Sequence, residues 1–405
     1  MKRKFFALLL CAVIALSALP AHAFAEGETI NVYNWGQYIA DGSDGSIDVN
    51  AEFTARTGIK VNYMTYDSNE SLYTKLKTGG STYDVIIPSD YMVARLIAEG
   101  MLEKLDMDNI PNYQYVDGAY KNQAYDPDNA YSVPYTWGTV GVIYNSKYVD
   151  AADVGSWSLL WNQKYSGKIL MFDNPRDAFA VAEEYLGLDI NTENADDLRA
   201  AAYKLIEQKP LVQSYVMDQI YDKMEREEAW IAPYYAGDYL QMAEVNPDLK
   251  FYFPSEGYNL FIDAMCIPKG CQNKKAAEEY INFLCDPEIS GGNLDYLGYS
   301  TPIPDAKQYM DPDTASSEIA YPDKETLARG SSFINLSSQT SQEMDSLWLQ
   351  VKTQGGVDDY AIWCMLALAV LLTVYLIIRE TRRKRRIANR CQRWKEPNTQ
   401  KPGGN

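Results

Sequence analysis

The stretch Ile30-Asn-Val-Tyr-Asn-Trp-Gly-Gln-Tyr38 predicts a short strand that runs out into a turn between two aromatic residues. Its first residues alternate between apolar and polar side chains, as is typical of a strand. In an open α/β sheet, ligands bind in the crevice at the carboxyl ends of the strands. Gly36 lets the backbone turn at that point, so Trp35 and Tyr38 are expected at a cleft. The alternative is that both rings belong to the hydrophobic core.

Strand–helix units recur after this first strand. A second strand is predicted over 60–66, and a helix follows it from Ser68. The continuous apolar run over 83–88 predicts a central parallel strand that is covered on both faces. This alternation of strands and helices predicts a doubly wound α/β sheet. The ends of the first three strands present three pairs at one edge: Trp35 and Tyr38, Tyr66 and Ser68, and Ser89 and Tyr91.

Two acidic residues later in the chain are candidates for the same cleft. Asp263 interrupts the apolar strand predicted over 260–267, and a buried carboxylate is costly unless it meets a charge or hydrogen-bond donors. We interpret Asp263 as the counter-charge of a cationic ligand, and a structural partner such as an arginine or backbone amides is the alternative. Asp177 stands where the helix predicted over 178–186 begins, a position that the helix dipole alone also favours.

The charge distribution excludes several classes of function. The 405 residues carry a formal charge of −18, and both ends are basic, with about +3 over residues 1–25 and about +8 from residue 379, which leaves about −29 between them. A body this acidic repels nucleic acid and attracts cations. The only histidine, His22, lies in a segment predicted to be removed, so histidine-based catalysis and histidine metal ligands are excluded. The acidic loop 41–48 lacks the spacing of an EF-hand, and no metal site or cofactor is predicted.

The two ends of the chain predict export and a membrane anchor. Residues 1–25 combine a basic start, an apolar run and small residues, which is typical of a secretory signal peptide. After a linker over 353–359, the uncharged apolar run 360–378 has the length of a transmembrane helix. The basic tail 379–405 is expected on the cytoplasmic side. The binding body is therefore predicted outside the cytoplasm, on a single-pass anchor in the cell membrane.

Three cysteines, Cys266, Cys271 and Cys285, remain in the exported body. Because their number is odd, at least one of them is free or pairs with another chain. Cys266 and Cys271 flank a proline and a glycine, so a disulfide between them is one alternative, and free buried thiols are the other.

The body also contains a series of short motifs in a fixed order. They are Tyr33-Asn-Trp-Gly-Gln-Tyr38, Tyr66-Asp-Ser-Asn-Glu70, Tyr83-Asp-Val-Ile-Ile-Pro-Ser89, Ser132-Val-Pro-Tyr-Thr-Trp137, Trp157 with Leu160-Trp161, Met265 with Ile267-Pro268, and Gly298-Tyr-Ser-Thr-Pro302. Together with the signal peptide, these motifs resemble the spermidine/putrescine-binding proteins of bacterial ABC importers. The likeness covers residues 28–352, which is nearly the whole exported body.

The resemblance implies a two-lobed α/β fold of the type II periplasmic-binding-protein class, in which each lobe is a sheet flanked by helices. Lobe 1 would comprise residues 26–135 and 260–305, and lobe 2 residues 136–259 and 306–352. By position, the resemblance implies a set of nine substrate-binding residues and no catalytic residue. These nine are Trp35, Tyr38, Ser89, Tyr91, Asp177, Tyr235, Phe261, Asp263 and Tyr299.

The function implied by the resemblance is the capture of a polyamine, spermidine or putrescine, by a monomeric protein that delivers it to the permease of an ABC transporter. Asn174 replaces a second acid of the family, and no glutamine is found near Phe333, where the family has one. The length and charge of the ligand therefore stay open. The alternatives are a binding protein for ferric ion or another amine, a hydrolase that uses Asp177 and Asp263, and a membrane-anchored sensor.

Overall fold

The computed structural model describes residues 27–79, 82–353 and 359–395. The chain divides into two units, Met1–Val351 and Lys352–Asn405. The first unit contains the α/β body, and the second contains the C-terminal helix. The predicted signal peptide lies outside the described residues, as do residues 354–358 of the predicted linker and 396–405 of the predicted tail.

The described part of the body contains ten strands. They are β1 (Thr29–Trp35), β2 (Lys60–Tyr66), β3 (Val85–Ile86), β4 (Ser132–Asn145), β5 (Ile169–Phe172), β6 (Val212–Val216), β7 (Ile231–Tyr235), β8 (Leu249–Tyr252), β9 (Tyr258–Cys266) and β10 (Gly330–Ser331). The helices are α1 (Val49–Thr57), α2 (Asn69–Thr78), α3 (Asp90–Ala98), α4 (Pro175–Tyr185), α5 (Ala195–Gln208), α6 (Ile220–Glu225), α7 (Ala236–Val245), α8 (Lys274–Leu284), α9 (Pro287–Leu297), α10 (Pro312–Ala315), α11 (Lys324–Leu327) and α12 (Ser338–Thr353).

The strands form a mixed sheet in the order β2-β1-β3-β9-β4-β7-β5-β6, while β8 pairs with β4 and β10 with β9. At one end, β1 pairs in parallel with β2 and β3. At the other end, β5 pairs in parallel with β6 and β7. The long strands β9 and β4 run antiparallel to each other between these two groups. The predicted α/β class is confirmed, and the two parallel groups are joined by antiparallel strands rather than being one continuous parallel sheet.

Strand β4 is continuous over 14 residues, although Gly138 and Gly141 in its sequence suggest two shorter strands. A Cβ atom on Gly138 would lie 2.6 Å from Cζ of Phe261, and one on Gly141 would lie 2.2 Å from Cζ of Phe251. These rings belong to the neighbouring strands β9 and β8. The glycines therefore make room for aromatic side chains and do not interrupt the strand.

Two large clusters of buried apolar side chains meet along β4. Val133 and Tyr135, near its start, belong to the cluster that also contains residues of β1, β9, α8 and α9. Val142 and Ile143, near its end, belong to the cluster that also contains residues of β5, β7, α4 and α5. β4 thus passes from one core into the other. The lobe limits at 135/136 and 259/260 stay a prediction.

The cysteines of the body, Cys266, Cys271 and Cys285, are all free. Cys266 and Cys285 are buried, and burial raises the pKa of the Cys285 thiol to about 12. Cys271 Sγ donates a hydrogen bond to Oδ1 of Asp84 at 3.2 Å. The disulfide between Cys266 and Cys271 is not formed, and all three thiols contribute to packing or hydrogen bonding.

The C-terminal unit contains the helix α13 (Asp359–Lys395). Within the part of the chain that the structure describes, no helix is both long enough and apolar enough to cross a bilayer. The predicted transmembrane helix over 360–378, and with it the single-pass anchor and the cytoplasmic C-terminus, is not supported.

Candidate functional site

A cleft of about 720 Å³ is lined by residues at or just after the carboxyl ends of β1, β2, β3, β5, β6 and β7. This is the edge at which α/β sheets bind their ligands. The structure brings all nine residues implied by the resemblance to this cleft: Trp35, Tyr38, Ser89, Tyr91, Asp177, Tyr235, Phe261, Asp263 and Tyr299. Their individual roles in binding stay predictions.

Asp263 lies within β9 and is only 3% exposed. Its Oδ2 accepts a hydrogen bond from the hydroxyl of Tyr38 at 2.6 Å. Its Oδ1 is buried and has no hydrogen-bond partner among the described residues. Burial raises the pKa of Asp263 to about 6, although the nearby hydroxyls of Ser89 and Tyr38 oppose the rise. A buried acceptor without a donor is costly, so this carboxylate favours a ligand that brings a donor or a positive charge.

The turn after β1 carries Trp35 and Tyr38 to the cleft. The Trp35 ring lies 4.7 Å from the ring of Tyr66, measured between centroids. The Tyr38 ring meets Tyr299 edge to face, with centroids 5.0 Å apart. Between the two residues, Gln37 adopts a φ of 47°, which a residue other than glycine rarely does. The turn therefore holds a strained backbone while it presents both rings, a combination that is common at functional sites.

Asp177 lies in the first turn of α4, where Asn174 caps the helix. The Asp177 amide donates to Asn174 Oδ1 at 2.8 Å. The Asp177 Oδ2 atom accepts hydrogen bonds from Asn174 Nδ2 at 2.7 Å and from the Tyr235 hydroxyl at 2.8 Å. Burial raises the pKa of Asp177, and these two hydrogen bonds oppose the rise. The Phe261 ring packs edge to face on the Tyr235 ring, with centroids 5.5 Å apart. Asp177 therefore lies beside a pair of aromatic rings.

Ser89 and Tyr91 stand at the start of α3. Asn69 orients Ser89, because its Nδ2 donates to Ser89 Oγ at 3.1 Å and its Oδ1 accepts from the Ser89 amide at 3.2 Å. The Tyr91 hydroxyl donates to Oε1 of Glu70 at 2.9 Å. The Tyr91 ring meets Phe333 edge to face at 5.7 Å. Phe333 therefore adds an apolar ring to the cleft near the position where the family has a glutamine.

Several polar residues that line the cleft are not expected from the sequence patterns, and Asp238 is the most informative of them. Asp238 lies in the first turn of α7 and accepts hydrogen bonds from the hydroxyls of Tyr221, at 2.6 Å, and Tyr299. Burial raises its pKa to about 6. A signal for it was available, because Asp238 follows the end of β7 by three residues. The same strand-end position pointed to Ser89 and Tyr91. The other missed polar residues are Asp67, Asn69, Glu70, Asp218 and Asn259.

The charge of the cleft is strongly unbalanced. Six carboxylates line it, and none of the lining side chains in the described part of the chain is basic. These carboxylates are Asp67, Glu70, Asp177, Asp218, Asp238 and Asp263. Aromatic faces between them suit methylene groups and can also attract cations. In residues 27–79, 82–353 and 359–395, no three His, Cys, Asp or Glu side chains are grouped as ligands of a metal ion. The arrangement is suited to an elongated organic cation.

Comparison with known proteins identifies relatives over most of the chain. The family model for bacterial extracellular solute-binding proteins matches residues 49–323. The spermidine/putrescine-binding periplasmic protein of Salmonella typhimurium is 33% identical over 80% of this chain and 91% of its own length. A putrescine-binding periplasmic protein of Pseudomonas aeruginosa is 30% identical over 87% of this chain and 100% of its own length.

Solved structures agree with these sequence relatives. A Listeria monocytogenes protein described as a spermidine/putrescine ABC transporter superposes with a TM-score of 0.76 at 35% identity, over 80% of this chain and 99% of that one. The spermidine/putrescine ABC transporter substrate-binding protein of Streptococcus pneumoniae, solved with calcium and HEPES, superposes with a TM-score of 0.67 at 35% identity, over 80% of this chain and 98% of that one.

Proposed function

We propose that this chain, which belongs to the bacterial extracellular solute-binding proteins and has their α/β periplasmic-binding-protein fold, captures a polyamine such as spermidine or putrescine and delivers it to the permease of an ABC transporter. It is a binding protein and not an enzyme. It acts outside the cytoplasm, as the family does. The proposal extends to this chain what its relatives are named for.

The observation that carries the proposal is a cleft lined by six carboxylates, the buried Asp263 among them, with no basic side chain in its described lining. Burying carboxylates costs several kcal/mol per charge unless a positive partner compensates. The ammonium groups of a polyamine supply that charge and donate charge-assisted hydrogen bonds. The rings of Trp35 and Tyr235 then pack on the methylene groups, and each cation–π contact adds about 0.5–2 kcal/mol.

The spacing of the carboxylates would select the length of the polyamine. Asp263 and Asp177 are the two acids expected to hold ammonium groups at opposite ends. Asp238, hydrogen-bonded to two tyrosine hydroxyls, offers a third anchor. A diamine needs two of these carboxylates and a triamine can use all three, so the relative affinities for putrescine and spermidine report which anchors are engaged.

Closure of two lobes would complete the site. The proposed lobe 1 contributes Trp35, Tyr38 and Asp263, and the proposed lobe 2 contributes Asp177 and Tyr235. A ligand that contacts both lobes stabilises the closed form, because only that form makes both sets of contacts. The permease would then recognise the closed, loaded protein.

The test is a ligand panel on the protein and on Asp263→Asn. Calorimetry and thermal shift with putrescine, spermidine, an amino acid and a sugar should show binding of one or both polyamines only. Asp263→Asn should weaken that binding at least about 100-fold, since it leaves an ammonium without its buried partner. The matched control is Asp128→Asn at an exposed position, which should bind like the wild type. Absence of polyamine binding by the wild type would reject the proposed function.

A further inference from the structure

Gly36 and Asp218 meet at the rim of the cleft, although they are far apart in the chain. Gly36 follows β1, and Asp218 lies in the loop between β6 and α6. A Cβ atom on Gly36 would lie 2.1 Å from Oδ2 and 3.1 Å from Cγ of Asp218. A side chain at position 36 would therefore force the Asp218 carboxylate to move from its present position. The φ angle of Gly36 is not in the left-handed region, so what glycine permits here is the close approach of the Asp218 carboxylate and not an unusual backbone conformation.

The carboxylate of Asp218 has no compensating charge at this contact. Its own backbone amide donates to it, and among the described residues that line the cleft no basic side chain is present. Asp67, which follows β2 on the same side of the cleft as Gly36, adds a second negative charge. Burial raises the pKa of Asp218, and the charge of Asp67 raises it further. The Asp218 carboxylate therefore lies very close to Gly36 and is repelled by the charge of Asp67.

We infer that Asp218 makes the closure of the cleft depend on positive charge inside it, with Gly36 as the surface on which its carboxylate rests when the cleft is closed. Closure presses Asp218 against Gly36 and towards Asp67. In the ligand-free protein, the repulsion between the two carboxylates raises the free energy of the closed form. A bound ammonium group lowers it, so a neutral molecule of the same shape would not close the cleft as well. The inference rests on the proposed function and assigns to Asp218 a role in positioning the two sides.

The steric half of the inference is tested with Gly36→Ala. The added methyl group should prevent full closure and weaken polyamine affinity at least tenfold. The double variant Gly36→Ala with Asp218→Ala removes the group that it collides with and should recover most of the loss. Gly118→Ala is the matched control, because a Cβ at Gly118 meets nothing within 4 Å, and it should bind like the wild type. Affinity of Gly36→Ala within twofold of the wild type, or no recovery in the double variant, would overturn the contact.

The electrostatic half is tested with Asp218→Asn, which keeps the size of the side chain. X-ray scattering of the ligand-free protein should give a smaller radius of gyration for Asp218→Asn than for the wild type, because the repulsion that opposes closure is gone. Equal radii would overturn the inference. This measurement needs no ligand, so it remains decisive even if the wild type binds no polyamine. Conversely, polyamine binding with equal radii would leave the proposed function standing and remove the role of Asp218.

Discussion

The cleft and a neighbouring cavity of about 410 Å³ share the residues Glu70 and Tyr91 but differ in charge. None of the described residues that line the cleft is basic, whereas the cavity is lined by Arg95 and Arg176 as well as by Asp345. In the cavity, the charge of Arg95 opposes the rise that burial causes in the pKa of Asp345. Asp345, which lines only the cavity, is thus offset by an arginine of the protein, whereas the described lining of the cleft offers its acids no basic side chain.

Arg176 illustrates the boundary between the two regions. It is 4% exposed, and its guanidinium carbon lies 4.3 Å from the centroid of the Phe333 ring, which lines the cleft. Its Nη2 donates to Asn191 Oδ1 at 2.7 Å. The guanidinium group of Arg176 therefore packs against the Phe333 ring and lines the cavity, but it does not line the cleft. A basic side chain is close to the cleft without lining it, and the cleft keeps its negative character.

The largest difference in polyamine affinity is expected between two variants that each lose one acid, one in the cleft and one in the cavity. Asp177→Asn, in the cleft, should weaken polyamine binding about 30-fold, because a charge-assisted hydrogen bond contributes about 2 kcal/mol. Asp345→Asn, in the cavity, should change the affinity less than twofold, since its charge is already balanced by the protein. Isothermal titration of both variants measures the contrast. Equal losses would mean that both regions contact the ligand.

A second contrast concerns pH. The pKa values of Asp238 and Asp263 are raised from 3.8 to about 6, and an ammonium group pairs with the ionised forms. Affinity should therefore fall as the pH is lowered from 7 to 5, by about tenfold for each of these carboxylates that binds the ligand. Calorimetric titrations of the polyamine at several pH values test this pH dependence of the affinity. The affinity of Asp263→Asn should change less with pH than that of the wild type.

The stability of the ligand-free protein should follow the opposite trend. Because the folded pKa of Asp263 lies above its unfolded value, the folded state holds the proton more tightly between pH 4 and 6. The contribution of this group to stability is thus greatest at low pH and is lost as the pH rises through about 6. Denaturation of the wild type and of Asp263→Asn at pH 4.5 and 7 isolates the contribution. A contribution from Asp263 that grows with pH would contradict the burial of an uncompensated acid.

The smallest effect is expected for Tyr38→Phe. This change removes the hydroxyl that donates to Asp263 Oδ2 and keeps the ring that meets Tyr299. Affinity should fall about fivefold, which corresponds to about 1 kcal/mol for one hydrogen bond. Tyr203→Phe, at an exposed position outside the cleft, is the matched control. A loss as large as that of Asp177→Asn would show that the hydroxyl contacts the ligand directly.

Much of the site could be predicted because it lies at strand ends. Local alternation of apolar and polar residues located the strands, and the residues that follow β1 and β3 line the cleft as expected. Asp263 stood out because a single acid in an apolar run is costly to bury. The transmembrane helix was predicted from a run of apolar residues, and among the described residues no helix has both the length and the apolarity to cross a bilayer.

Patterns along the sequence were enough to predict the α/β class, the strand ends that carry the aromatic rings, and an acidic body that repels nucleic acid. Which distant residues meet became visible only in the folded chain. It joined Asp238 to Tyr299, placed Asp218 on Gly36, and kept β4 continuous by packing rings over its glycines. The physical reason is that periodicity and burial cost act along the chain and are visible in it, whereas these contacts depend on how strands far apart in sequence are ordered in the sheet.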